Sequence, residues 1–242
     1  MLENLAKNGY QFQTYEEFSS SPVQGKVAIL RHDVDRAPKN GVKMAQIEKK
    51  MGIKASYYFR IVNESYDESC INSILKLDHE LGYHYEDLAL AGGDKEKAFE
   101  QFKKNLVMFR KFYPIKTMCM HGSPASKWDN RKLWESYNYK EFNIIAEPYF
   151  DMDFNQVFYI TDASRSWNNE KVTLRDKVES DFNIEIDSSW DIIKLIENKV
   201  LPEKIMLSTH PHNWADKFPE WVKIKVWQGI KNQVKKVLVK KA

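Results

Sequence analysis

Short apolar runs rich in β-branched and aromatic residues alternate along this chain with longer stretches whose apolar positions recur at helical spacing. Runs of the first kind read as strands and stretches of the second as helices, and their alternation is the signature of βα units building a parallel sheet. Strands are expected at 26–31, 55–60, 81–85, 117–121, 142–146, 157–161 and 204–209. Helices are expected at 38–51, 67–80, 94–113, 130–137 and 188–199, several opening on a start signal such as Pro38, Asp67 or Ser188. Gly52 and Gly82 read as the stops of two of them. Residues 168–187 show no period and read as a long loop. With a helical lead-in and a helical tail, the pattern describes an α/β fold of seven strands, a (β/α) barrel in one domain over residues 1–242.

Composition leaves this reading in place: 43% hydrophobic, 29% charged and 13% aromatic residues are those of an ordinary globule with ample core material. A net charge of +3 from 37 basic and 34 acidic residues is too small to suggest nucleic acid as a partner. Cys70 and Cys119 do not make a disulfide framework. The first residues lack the basic start and apolar run of a secretory signal, and no stretch approaches a membrane span, so the expected location is cytoplasmic. In the tail, Val222, Val226, Trp227, Ile230, Val234, Val237 and Leu238 form an apolar stripe beside many lysines. It reads as a helix docked on the barrel, with peripheral contact to an anionic membrane as the alternative. Oligomeric state leaves no mark on the sequence.

The chemistry is concentrated where parallel barrels carry it, just after the strands. Of six histidines, only His79 falls inside an expected helix. His32 stands in RHDVD, His84 in GYHYED, His121 in MHGSP, and His210 with His212 in STHPHNW. Asp33, Asp35, Glu86, Asp87, Asp162 and Arg165 follow the same runs. Carboxylates crowded into one rim repel each other and are costly to desolvate unless a cation or a proton is shared among them. A divalent metal answers that need, and carboxylate oxygen with neutral imidazole nitrogen suits zinc, with manganese, iron or cobalt as alternatives. The plain alternative for HDVD is a strand ending in solvated acids that cap the helix near Pro38.

In their order, RHDVD, GYHYED, HGSP, TDASRSW and STHPHNW resemble the motifs of the NodB-homology polysaccharide deacetylases, carbohydrate esterase family four. The resemblance spans most of the chain and implies a distorted seven-stranded (β/α) barrel. It assigns the catalytic base to Asp33 and a metal ligand to Asp35, the counterparts of an Asp-Asp pair at the end of the first strand. Of the family's two metal-binding histidines four residues apart, His84 matches the first and Leu88 occupies the place of the second. Glu86 or His121 then supplies the missing ligand, or the metal site is altered or lost. Leu207 and His210 match the last motif, which makes His210 the general acid. Asp162, Arg165 and Trp167 fall in the motif whose acid, charged partner and tryptophan orient the catalytic residues, so Arg165 is expected to orient Asp33 or, more plainly, to neutralise Asp162. His32, Tyr85, Trp167, His212 and Trp214 are expected to touch substrate.

The function so implied is metal-dependent removal of an acetyl group from an N- or O-acetylated sugar, with a carbohydrate as partner. Two other functions fit the same residues. One is hydrolysis of a non-sugar amide on the same barrel; the other is carbohydrate binding by a protein that has lost its metal and its catalysis.

Overall fold

The computed structural model describes residues 1–122, 126–165, 167, 177–214, 219, 222, 226 and 229. In chain order these residues form α1 (Leu2–Lys7), β1 (Gln11–Gln13), α2 (Tyr15–Ser20), β2 (Val27–Val34), α3 (Pro38–Lys50), β3 (Ser56–Phe59), α4 (Glu68–Leu75), β4 (Glu80–Tyr85), α5 (Asp87–Leu90), α6 (Lys95–Arg110), β5 (Met118–Met120), α7 (Pro148–Asp151), β6 (Phe158–Thr161), α8 (Ser189–Glu197) and β7 (Lys204–Thr209). Helix starts follow the chemistry of their first residues. Asp67 and Asp94 accept from the backbone N–H three residues on, and Ser188 with Asp191 forms a capping box on α8.

All strand pairs are parallel, and the strands lie in the order β5-β4-β3-β2-β7-β6, with β1 beside the first half of β2. That is the consecutive order of a barrel, opened between β5 and β6. The fold is therefore α/β on a curled parallel sheet whose ring strand pairing does not close among the described residues. The strand expected at 142–146 is the reason. Tyr139–Phe142 is a 3₁₀ turn, Asn143 takes a left-handed φ of 57°, and Pro148 opens α7. Too few residues remain between them for a ladder, and one bridge, Thr117 to Ala146, is all that forms. At the next position the amide of Met120 donates to the side chain of Glu147 at 3.0 Å. Conversely, β1 went unforeseen because its QFQ sequence is short and mostly polar.

Side chains alternate across each strand and so divide the core in two. Ala28, Leu30, Val34, Tyr57, Phe59, Leu81, Tyr83 and Tyr85 face outward into the large cluster under the helices. Ile29, Tyr58, Cys119, Tyr159 and Met206 face inward and form a smaller cluster inside the curl. Below it the buried Glu80 accepts from Ser56 Oγ at 2.6 Å, from the amide of Glu16 at 2.9 Å and from Thr117 Oγ1, which joins β3, β4 and α2 to the start of β5. Gly82 does not end a helix as expected; it lies within β4, where a Cβ would stand 2.2 Å from the Tyr58 ring. Its lack of a side chain lets that ring lie across the inner wall.

The helix expected over 67–80 ends at Leu75, and the one over 130–137 is the 3₁₀ turn Asn130–Glu135. Residues 177–187 carry no regular structure, and the first part of the expected 168–187 loop lies outside the described residues. So does most of the tail stripe; Val222 and Val226 are helical and exposed. No helix among the described residues is long and apolar enough to cross a membrane.

Gly82→Ala is expected to destabilise the protein by about 1–3 kcal/mol, the usual cost of overpacking. Urea unfolding measures this, and the loss should shrink in a Tyr58→Leu background; a Gly82→Ala variant as stable as the wild type would contradict the packing described.

Candidate functional site

On β2 the inward positions above Ile29 are Arg31 and Asp33, two residues apart and therefore on one face. The Arg31 guanidinium is fully buried and grips the Asp33 carboxylate with both arms, Nε to Oδ1 at 2.9 Å and a terminal nitrogen to Oδ2 at 2.5 Å. Aromatic rings of Tyr58 and Tyr149 lie about it at 6.0 and 5.7 Å. Burial alone would push the Asp33 carboxyl upward, but Arg31, aided by His84 and His210, holds it below its ordinary value. Asp33 is thus an ionised carboxylate whose Oδ2 still faces the site, 3.8 Å from His84 Nε2 and 4.0 Å from His210 Nε2.

Beyond the end of β2, the amide of Asp35 turns back onto the Asp33 carbonyl at 2.9 Å, which brings the second carboxylate over the same centre. Its Oδ1 lies 3.4 Å from His84 Nε2 and 3.5 Å from His121 Nε2. It is buried yet makes no hydrogen bond of acceptable geometry. The two imidazoles are aimed from behind: His84 Nδ1 meets the Cys119 carbonyl at 3.0 Å and His121 Nδ1 meets Glu86 Oε2 at 2.9 Å. Each ring therefore has one nitrogen engaged and the other turned to the centre, as in sites that bind metal. Asp35, His84 and His121 place one donor atom each within 4.8 Å of one another. An orphaned buried oxygen beside two imidazole nitrogens turned toward it fits a divalent cation. Asp33, His84 and Cys119 also cluster at this distance, but both Asp33 oxygens already serve Arg31, which leaves that trio a poor donor set.

From the far side of the sheet, β6 and β7 supply the third component. Asp162 Oδ1 accepts from the His210 backbone amide at 2.9 Å and lies 2.7 Å from its Nδ1, while Oδ2 accepts from Trp214 Nε1 at 2.8 Å. His210 Nε2 is left pointing at Asp33 and Asp35, 4.0 Å from each. Burial opposes a charge on this ring, but the Asp162 hydrogen bond and charge, with Asp35 and Asp33, outweigh it and raise the pKa to about 10. His212, packed against His210 with ring centres 5.7 Å apart, goes the other way. Burial lowers its pKa to about 4, and its Nδ1 is buried without a partner.

Several sequence-predicted residues sit elsewhere or do something else. His32 is on the outward face of β2, one residue out of phase with Asp33, and bridges Thr209 Oγ1 and Glu48 Oε1 at 2.7 Å each. Tyr85 is likewise outward and fully buried against Phe102 and Trp134. Neither lies on the inward face that carries Asp33 and His84. Trp167 is nearly buried and donates to Ser189 Oγ at 3.1 Å, whereas Trp214 is 39% exposed at the rim. Glu86 is no free ligand, since Arg60 takes its two oxygens at 2.7 and 2.9 Å. Leu88 is buried on α5. The guanidinium at Asp33 is that of Arg31, and the acid acting on Arg165 is Asp162. Arg31 and Arg60 escaped the sequence reading, although strand alternation places Arg31 on the face of Asp33 and Arg60 ends an expected strand.

No protein-family model and no curated protein matches this chain. Among solved structures it is similar to a CE4 family pseudoenzyme from Bacillus anthracis, at 13% identity over 86% of this chain and 62% of that one, TM-score 0.48. A mutant of a CE4 family pseudoenzyme with restored enzymatic activity gives 13% identity, 86% of this chain and 64% of that chain, TM-score 0.48. The Xyl-CE4 domain of a multidomain xylanase from the hindgut metagenome of Trinervitermes trinervoides gives 11% identity, 86% and 84% coverage, TM-score 0.42. The chain thus spans just under two thirds of the length of the pseudoenzyme structures.

Two measurements probe these electrostatics. Arg31→Met leaves a buried carboxylate uncompensated and is expected to cost about 3–5 kcal/mol by urea unfolding at neutral pH. Because the folded Asp33 pKa is depressed, its contribution is complete above the unfolded value of 3.8 and lost as pH falls through the folded one, so the gap between variant and wild type should narrow in acid. His210 has the opposite sign. Its stabilisation is complete below pH 6.5 and fades as pH rises through about 10. In metal-free protein, NMR should find its imidazole still protonated at pH 8, and Asp162→Asn should bring the titration back toward 6.5.

Proposed function

We propose that this protein is a metal-dependent carbohydrate deacetylase, hydrolysing the acetyl C–N or C–O bond of an N- or O-acetylated sugar. The observation that carries the reading is Asp35 Oδ1, buried and unpartnered between His84 Nε2 and His121 Nε2, with Asp33 Oδ2 3.8 Å from His84 Nε2 and His210 Nε2 4.0 Å from both Asp33 Oδ2 and Asp35 Oδ2. Asp35, His84 and His121 hold the cation, zinc by donor type, with cobalt, manganese and iron compatible with the same set. When bound, the cation would polarise the acyl carbonyl and lower the pKa of water in its sphere.

The chain's own groups do the rest. Asp33, kept ionised by Arg31, accepts a proton from the attacking water as it adds to the carbonyl carbon. His210, kept protonated by Asp162, gives its proton to the sugar nitrogen or oxygen as the acyl bond breaks. The two roles need opposite protonation states in one small space, and Arg31 and Asp162 supply the charges that fix them. Trp214, its Nε1 tied down by Asp162 and its side chain partly exposed at the rim, offers a ring face for a sugar to stack on.

Asp33→Asn and His210→Ala should each lower acetate release from N-acetylated oligosaccharides by ~10²–10⁴-fold, with circular dichroism and zinc content unchanged. Near-normal turnover in either variant would sink the assignment of base and acid. A wild-type protein that opens cyclic amides but releases no acetate from acetylated sugars would sink the substrate class.

A further inference from the structure

Glu86 and Arg60 lie behind the metal ligands rather than among them, and the contacts they make there are unusually complete for side chains at a rim. Arg60 follows β3 and chelates Glu86 through Nε at 2.7 Å and a terminal nitrogen at 2.9 Å. Its other terminal nitrogen donates to the backbone carbonyl of Asp35 at 3.1 Å. Its amide donates to Ser65 Oγ at 2.9 Å, and that hydroxyl in turn donates to the carbonyl of Val34. Glu86, almost fully buried, turns Oε2 to His121 Nδ1 at 2.9 Å. One guanidinium therefore touches the loop that carries Asp35 and the carboxylate that aims His121, linking the ends of β2, β3, β4 and β5.

We infer that Arg60 and Glu86 form an outer clamp that sets His121 as the third ligand. The inference rests on the metal reading above. His121 follows β5 and stands on a different segment from His84 and Asp35, so its ring must be aimed by contacts from outside its own strand. The Glu86 carboxylate does this by fixing which nitrogen of His121 carries a proton, leaving Nε2 as the donor. Arg60 keeps Glu86 from rotating toward the centre and competing for the cation itself. Both are positioning residues, not ligands.

Cobalt and zinc titrations of the full chain test the clamp, by calorimetry and by the visible absorption of the cobalt form. Glu86→Gln and Arg60→Met should each weaken binding by roughly 10–100-fold, and both should change the cobalt spectrum as His121→Ala does. The double variant Glu86→Gln/His121→Ala should bind no more weakly than His121→Ala alone, because Glu86 acts only through that ring. Additive losses, or single variants with wild-type affinity and spectrum, would overturn the clamp while leaving the metal site standing. A wild-type protein that binds neither ion would overturn the deacetylase reading and the clamp together.

Discussion

A guanidinium and a carboxylate sealed inside a sheet are the constraint on which the rest of this molecule depends. Arg31 and Asp33 are both buried, and an isolated charge at that depth would be costly. Their mutual grip offsets this cost from below, which lets Asp33 stay ionised near the end of β2. The remaining negative charge, on Asp35, is met from the side and above by three imidazole rings. The inner wall is thus not apolar throughout. It passes from the Glu80 floor through the Tyr58 and Met206 layer to a charged ceiling, and each layer is set by the two-residue repeat of the strands.

The imidazoles share one design. In each, a nitrogen is spent on an anchor: a backbone carbonyl for His84, a glutamate for His121, an aspartate for His210. One anchor is a neutral carbonyl and two are carboxylates. The Cys119 carbonyl engages His84 Nδ1 and leaves Nε2 turned to the centre. Asp162, buried and holding the ring, backbone amide and indole together, makes His210 a cation. Identical side chains at strand ends acquire separate roles through what stands behind them.

Much of the architecture was legible in the chain because it depends on period and on strand ends. The runs around residues 27–34, 56–59, 80–85, 118–120, 158–161 and 204–209 are strands, and each reads in the sequence as a short apolar or aromatic run set between longer helical stretches. The failures have local causes. Residues 142–146 look like a strand until Asn143 turns left-handed and Pro148 starts a helix. His32 reads as a rim residue by proximity to Asp33, yet adjacent strand residues face opposite ways. The same rule, applied in full, would have turned His32 outward and set Arg31 on the face of Asp33. Glu86 and Arg60 could not be assigned this way, since their partnership depends on how two neighbouring loops fold over one another.

The opening between β5 and β6 divides the wall unequally in what holds it. Residues joining those strands close the wall with one bridge and the carboxylate of Glu147 rather than with a ladder. Insertions or rewritten segments there break little backbone pairing, whereas changes in β2 or β7 disturb strands bonded on both sides. That segment is the part of the wall where length and sequence can change with the least loss of backbone pairing, because one side of the ring is left unstitched among the described residues.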